Sequence, residues 1–348
     1  MPVPLLRYNQ ISMAIAAEHQ PGTAEISESR RQMTALLTGG GIYRLDRALF
    51  SLTGRDRVRW LNGMVSNNIR DLLPGHGVYA FVLNAQGHIQ GDLYAFNRGE
   101  SLVLEVERSQ AETLVPLLRR YIIMDKVEVE DLSGKTTVIG MAGPKCREML
   151  TALGFELPEF GALRITDMMW RETPVTVVCS DNPCGDSYEI WVPAEQIEAA
   201  WDVLVQAGAV AADAETLETF RILCGIPKFG QDIRERILPQ ETGQDRALNF
   251  TKGCYIGQEI VERIRARGSV HRTFVGFEVE GAAPSAGTKV QYQGKDVGEI
   301  TSVTAAPLKQ KRMALGFIRK EVIETGRTFT AGEATVSPVS LPFKGIFD

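Results

Sequence analysis

The sequence predicts an α+β protein of two or three domains that ends in a small all-β unit, and three observations carry that expectation. Its 348 residues exceed what one hydrophobic core usually organises. From Ile42 to Val205, short alternating apolar segments are interleaved with segments of helical period, the mixture that antiparallel sheets with helices on one side produce. Beyond His271 only short strands with glycine-rich turns are legible, as in a small barrel or sandwich.

In chain order, residues 1–41 are polar, end in Gly39-Gly40-Gly41, and read as an extension tethered to the first domain. A strand follows from Ile42 to Leu52. Thr53 and Asp56 then resemble a capping box that opens a helix with Val58, Leu61, Met64 and Val65 on one face. Alternation marks strands at Tyr79–Leu83, His88–Phe96 and Leu102–Val106, with turns at Asn84–Gly87 and Asn97–Gly99. Ser109 and Glu112 open a helix that Pro116 must kink or shorten. Pro144 and Gly154 bracket another helix. Strands at Val175–Cys179 and Glu189–Val192 precede a helix from Ala194 whose Ile197, Trp201, Leu204 and Val205 face inward, and a further helix spans Glu215–Cys224. The terminal unit takes residues 271–348, with strands at Phe274–Val279, Lys289–Tyr292, Val297–Val303, Met313–Ile318 and Glu333–Val336.

Composition removes several function classes. No run approaches the roughly 18 apolar residues of a membrane span, and Asn9, Gln10 and Ser12 interrupt any signal-peptide core, so a cytoplasmic protein without membrane contact is expected. Five scattered cysteines argue against a disulfide framework and a zinc site, with Cys179 and Cys184 the close pair that a loop could bridge. The four histidines show no ligand spacing, so no metal is expected. A net charge of −5 leaves no global footprint for nucleic acid; the one local exception is Arg263, Arg265, Arg267 and Arg272, whose alternation puts the first three on one face of a strand, either a solvated face or a surface for phosphates or tail carboxylates.

Chemistry concentrates at residues 252–259, Lys-Gly-Cys-Tyr-Ile-Gly-Gln-Glu. The Lys252 ammonium could stabilise a Cys254 thiolate, and Gly253 and Gly257 would let the backbone turn or approach a ligand; the alternative is a buried cysteine in a tight turn. Asp92 shares a strand face with Gln90, Tyr94 and Phe96, which suits either a solvated face or a pocket wall. Glu189 interrupts an apolar segment beside Tyr188 and Trp191. Its carboxylate could accept two parallel hydrogen bonds from an amino-amide edge such as that of guanine or pterin, with neighbouring aromatics stacking on the ring, or it could pair with an arginine. Arg221 projects from the border of a helical apolar stripe, where it either meets an anion or snorkels.

Arg221 with Gly225-Ile226-Pro227, Gly230-Gln231-Asp232-Ile233, Leu238-Pro239-Gln240-Glu241 and the octapeptide together resemble the YgfZ-type folate-binding proteins, relatives of the glycine cleavage T-protein, an aminomethyltransferase. The likeness spans roughly residues 42–340 and includes Trp60-Leu61-Asn62-Gly63, Asn84-Ala85-Gln86-Gly87 with Asp92, and Val297-Gly298-Glu299-Ile300-Thr301-Ser302. The resemblance implies a three-subdomain cloverleaf around a central folate cavity: two α+β subdomains within residues 42–270, and a barrel after them. It further implies tetrahydrofolate or a one-carbon-substituted folate as ligand, with Asp92 near the reactive nitrogens, Glu189 and Tyr188 at the pterin, and Arg221 and Arg272 lining the site. Cys254 and Lys252 would be functional, within a motif of Lys252, Gly253, Cys254, Tyr255, Gly257, Gln258 and Glu259. Two functions remain open on this basis. One is folate-dependent assembly or repair of iron–sulfur proteins, including tRNA-modifying enzymes, with those proteins as partners. The other is a tetrahydrofolate-dependent aminomethyltransferase or demethylase.

Overall fold

The computed structural model describes residues 28–157, 161–268, 270–308, 310–323 and 328–343. Residues 1–27 of the expected extension lie outside them. The chain runs α1 (Glu28–Thr38), β1 (Gly41–Leu45), β2 (Arg47–Thr53), α2 (Arg57–Met64), β3 (His76–Leu83), β4 (Ile89–Asn97), β5 (Leu102–Glu107), α3 (Arg108–Arg119), β6 (Glu128–Asp131), β7 (Thr136–Ala142), α4 (Cys146–Ala152), β8 (Arg164–Trp170), β9 (Thr173–Cys179), β10 (Ser187–Pro193), α5 (Ile197–Gln206), β11 (Val210–Ala211), α6 (Ala214–Cys224) and α7 (Gln258–Arg267). A second unit follows as β12 (Arg272–Glu280), β13 (Lys289–Tyr292), β14 (Lys295–Val303), β15 (Arg312–Arg319), α8 (Lys320–Ile323), β16 (Phe329–Ala331) and β17 (Ala334–Val339).

Among the described residues β1 to β11 form one sheet in the order β11-β1-β7-β10-β9-β8-β3-β4-β5-β2-β6, and the last six strands close a barrel in the order β12-β15-β14-β13-β16-β17. The α+β fold with a terminal barrel is therefore the observed one. The large sheet has two halves joined where β3 meets β8 at His76 and Arg164. The chain changes halves at Asp46, since β1 pairs with β7 while β2 pairs with β5. Each half buries its own apolar face, one around Leu61, Ala80, Leu93 and Leu104, the other around Ile139, Val177, Ile190 and Leu204. A central core joins both halves to the barrel through Phe96, Trp191, Leu223, Phe274 and Phe317. There the Phe96 and Trp191 rings meet edge to face at 5.3 Å, bringing β4 against β10, an arrangement worth about 0.5–1.5 kcal/mol beyond the area it buries.

Several local expectations are corrected. The predicted extension ends too late, because Leu36 and Leu37 of α1 pack against Tyr43, Phe220 and Cys224, making residues 28–41 part of the body. Asp56 stands at the N-cap of α2 without capping it; its carboxylate accepts the Lys126 N–H at 2.8 Å instead. Val205 is 41% exposed, and the inner face of α5 belongs to Ala200 and Leu204. Arg263, Arg265 and Arg267 lie on helix α7, not a strand, because Gly257 (φ 83°) and Gly268 (φ 82°) bracket a segment whose Val261 is fully buried. Only left-handed backbone, natural to glycine, accommodates those two ends. Cys184 and Cys224 form a disulfide with Cα atoms 5.3 Å apart, in place of free thiols or a Cys179–Cys184 bridge. The fold sets the β9–β10 loop against the end of α6, a proximity across 40 residues that cysteine spacing does not encode.

Candidate functional site

A cavity of about 410 Å³ opens between the two sheet halves and α6, within the range of about 300–1,000 Å³ usual for small-molecule sites. One wall comes from adjacent strands. Tyr79 on β3 stands opposite Tyr94 on β4, and Tyr94 stands opposite Glu105 on β5, so the three share a face. Asp92 lies two residues before Tyr94 and joins that face by strand alternation. The Tyr79 hydroxyl donates to Asp92 Oδ2 at 2.6 Å and Gln110 Nε2 donates to Oδ1 at 2.6 Å. Burial raises the Asp92 pKa above its ordinary value, although those two hydrogen bonds pull the other way. The Tyr79 and Tyr94 rings lie 5.0 Å apart. Arg246 sits over Tyr79 at 4.6 Å and pairs with Asp181, whose Oδ1 also accepts the Tyr94 hydroxyl at 3.2 Å.

The facing wall is Glu189 on β10, 9% exposed, and its Oε2 is buried without a hydrogen-bond partner. Behind it, at the seam between the halves, Arg47 brings Nε to 2.9 Å from Glu105 and Nη1 to 2.8 Å from Glu107. Tyr188, one residue from Glu189, points to the opposite face of β10. It belongs to the core beneath that half and its hydroxyl accepts from Arg147 at 3.2 Å, so it is absent from the cavity wall. Period-two alternation makes this unavoidable.

Arg221 lines the cavity with all five donors engaged: Nε and Nη2 on Glu218 at 2.9 and 2.6 Å, Nη1 on Ile226 O at 2.5 Å and on Asp232 at 2.7 Å, and Nη2 on Ser302 at 2.8 Å. It thereby locks α6 to the following loop and to β14. Arg272 lies outside the lining, doubly bonded to Glu241 at 2.9 and 3.0 Å and over the Phe317 ring.

The octapeptide is also separate from the cavity lining. Cys254 is exposed and free. Lys252 is 9% exposed, and its ammonium donates to the carbonyls of Asn62 and Val65 at 2.5 Å and Asn67 at 2.8 Å. Those three acceptors take all its protons, so the expected support of a Cys254 thiolate is replaced by capping of the α2 C-terminus. Burial, and next the Arg70 guanidinium, pull its pKa down to about 7, against the carbonyls, which favour the ammonium. Tyr255 is buried in the central core, the Gln258 side chain accepts the Tyr255 N–H at 3.3 Å, and Glu259 is exposed. A Cβ on Gly257 would stand 2.5 Å from Asn84 O, and one on Gly253 3.1 Å from Arg70.

The sequence and the fold have known counterparts. The family described as "GCVT N-terminal domain" matches residues 45–252, and the "Glycine cleavage T-protein C-terminal barrel domain" matches residues 272–343. The chain belongs to the glycine cleavage T-protein family. An aminomethyltransferase of Rippkaea orientalis is 27% identical over 315 residues, covering 87% of this chain and 84% of the relative. A putative chloroplastic transferase of Arabidopsis thaliana is 25% identical over 285 residues, 81% of this chain and 66% of that protein. The crystal structure of the glycine cleavage system aminomethyltransferase T from Bartonella henselae superposes with a TM-score of 0.81 at 18% identity, covering 90% of this chain and 89% of the other, which establishes a common fold.

On this T-protein fold, sequence reasoning brought Asp92, Glu189 and Arg221 to one cavity and missed Arg47, Tyr79, Tyr94, Glu105, Asp181 and Arg246. Two of these had a signal. Tyr94 alternates with Asp92, and Glu105 interrupts the apolar run Leu102–Val106 as Glu189 interrupts its own. Among the described residues no cluster of three or more His, Cys, Asp or Glu could hold a metal ion, and no helix is long and apolar enough to cross a membrane.

Proposed function

We propose that this protein binds tetrahydrofolate or a one-carbon-substituted folate in the cavity between the sheet halves, and that it is a YgfZ-type factor supporting assembly or repair of iron–sulfur proteins, tRNA-modifying enzymes among them. The observation that carries folate binding is Glu189, a buried carboxylate with a partnerless oxygen in an aromatic-walled cavity. A buried acceptor left unmade costs about 1–3 kcal/mol, and the adjacent N–H groups of a pterin's amino-amide edge are donors of the required kind. Tyr94, backed by Tyr79, offers an aromatic surface to the heterocycle. Asp92 can hold or take up a proton near the reactive nitrogens, its carboxyl being raised by burial. Arg221 contributes rigidity, since Glu218 and Asp232 occupy its donors and offset its charge.

The iron–sulfur reading rests on the octapeptide. Its lysine, buried tyrosine and glycines build a rigid platform that leaves one thiol exposed, outside the cavity, where a client protein can reach it. The second reading, a tetrahydrofolate-dependent aminomethyltransferase or demethylase, is favoured by Asp92 at the cavity wall and by the aminomethyltransferase relatives. A reduced folate would supply the nitrogen that carries the one-carbon unit in either case.

Titration of reduced folates into the purified protein tests the shared element, and saturable binding weakened by substitutions at Glu189 is expected. Complementation of cells lacking the endogenous factor then separates the readings. Under the first, Cys254→Ala fails to restore iron–sulfur enzyme activity while binding folate normally. Under the second, Asp92→Asn abolishes one-carbon transfer and Cys254→Ala is silent.

A further inference from the structure

Three buried carboxyl oxygens in the cavity wall lack a hydrogen-bond donor: Oε1 and Oε2 of Glu105 and Oε2 of Glu189. Glu105 is 1% exposed, lines the same cavity as Glu189, and lies close enough to it for the two carboxyl groups to interact electrostatically. The charged and titratable groups around them are Arg47 on β2, Glu107 on β5, Tyr94 on β4 and, against Glu189, Tyr43 on β1. Arg47 is thus the one guanidinium among them, facing three carboxyls. It donates to Glu107 at 2.8 Å, while its approach to Glu105 at 2.9 Å lacks hydrogen-bond alignment. Three ionised carboxylates around one cation would leave a net charge of −2, and burial of Glu105 and Glu189 makes ionising both of them unfavourable. One proton between Glu105 and Glu189 removes half of that excess and makes one hydrogen bond between them, while the Glu189 carboxylate keeps further lone pairs for a ligand.

We propose that Glu105 is a positioning residue for the cavity: it carries a proton at neutral pH, donates it in a hydrogen bond to Glu189, and so fixes Glu189 as an acceptor facing the ligand. The shared proton makes the strand β5 of one half and β10 of the other a single recognition element. Burial, then the Glu189 charge, push the Glu105 pKa well above the carboxylate range, in keeping with this assignment. Loss of the proton at high pH sets two carboxylates against each other and disturbs the acceptor. The role in ligand recognition rests on the folate reading above; the protonation state does not.

Two measurements test it on the full chain. Infrared difference spectra of wild type minus Glu105→Gln at pH 7 should contain the C=O stretch of a protonated carboxyl; its absence means Glu105 is ionised and overturns the proposal. Calorimetric titration with 5-formyltetrahydrofolate between pH 6 and 9 should show wild-type affinity falling as pH rises, and Glu105→Gln, whose amide still donates to Glu189, staying within about threefold of wild type at pH 7 with a flat profile. Glu105→Leu should bind about tenfold more weakly. Identical pH profiles for wild type and Glu105→Gln, or wild-type affinity in Glu105→Leu, overturn the positioning role. Failure of wild type itself to bind, with the infrared band present, refutes the folate reading and leaves the shared proton standing.

Discussion

Lys252→Met separates a structural lysine from a thiol-activating one. The substitution keeps most of the side-chain stem and removes the ammonium that bridges the carbonyls of Asn62, Val65 and Asn67. Each charge-assisted bond is worth about 1.5–3 kcal/mol before the ion's own desolvation, and that desolvation is several kcal/mol. The net loss should be about 2–4 kcal/mol, because the three carbonyls are left with an apolar neighbour. For a domain of this size it lowers the thermal midpoint by on the order of 5–10 °C. Differential scanning calorimetry of wild type, Lys252→Met and Cys254→Ala measures it, with Cys254→Ala near wild type because that side chain is exposed. An unchanged midpoint for Lys252→Met, accompanied by slower alkylation of Cys254, would refute the capping account and restore thiol activation.

Glu189→Gln should weaken reduced-folate binding by roughly 1.5–3 kcal/mol, since an amide cannot accept both N–H groups of the pterin edge; equal affinity by calorimetry removes Glu189 from the site. Asp92→Asn should change the pH dependence of stability. A carboxyl whose folded pKa lies above the ordinary 3.8 contributes stability that is complete below the unfolded pKa and lost as pH rises through the folded one. Urea unfolding should therefore show wild type losing stability relative to Asp92→Asn as pH increases from about 4 upward through the raised pKa, and a parallel pair of curves would show no such shift. Mass-spectrometric mapping after brief alkylation under non-reducing conditions should find Cys254 labelled first, because Cys184 and Cys224 are bonded and burial pushes Cys146 up to about 12. Preferential labelling of Cys146 or Cys179 would contradict the exposure of the octapeptide loop.

Local pattern determined much of this protein. Two-residue alternation decided that Asp92 and Tyr94 share a face, and it also decided that Tyr188 and Glu189 cannot. Lone carboxylates within apolar strands, Glu105 and Glu189, were visible as anomalies, because an acid seldom interrupts a buried run without a purpose. Glycines at positions 257 and 268 held the information that residues 258–267 are a helix, yet alternating arginines concealed it. What only the tertiary structure decided is which charges meet. Lys252 finds carbonyls 185 to 190 positions earlier, Arg221 is claimed by Glu218 and Asp232, Arg272 by Glu241, and Cys184 by Cys224. The Arg47–Glu105–Glu189 seam exists because β1 and β2 are consecutive in the chain but belong to different halves of the sheet. Side-chain periodicity is a property of a few neighbouring residues and survives in the sequence; the partner of a buried charge is set by how separate strands pack, and no local pattern records it.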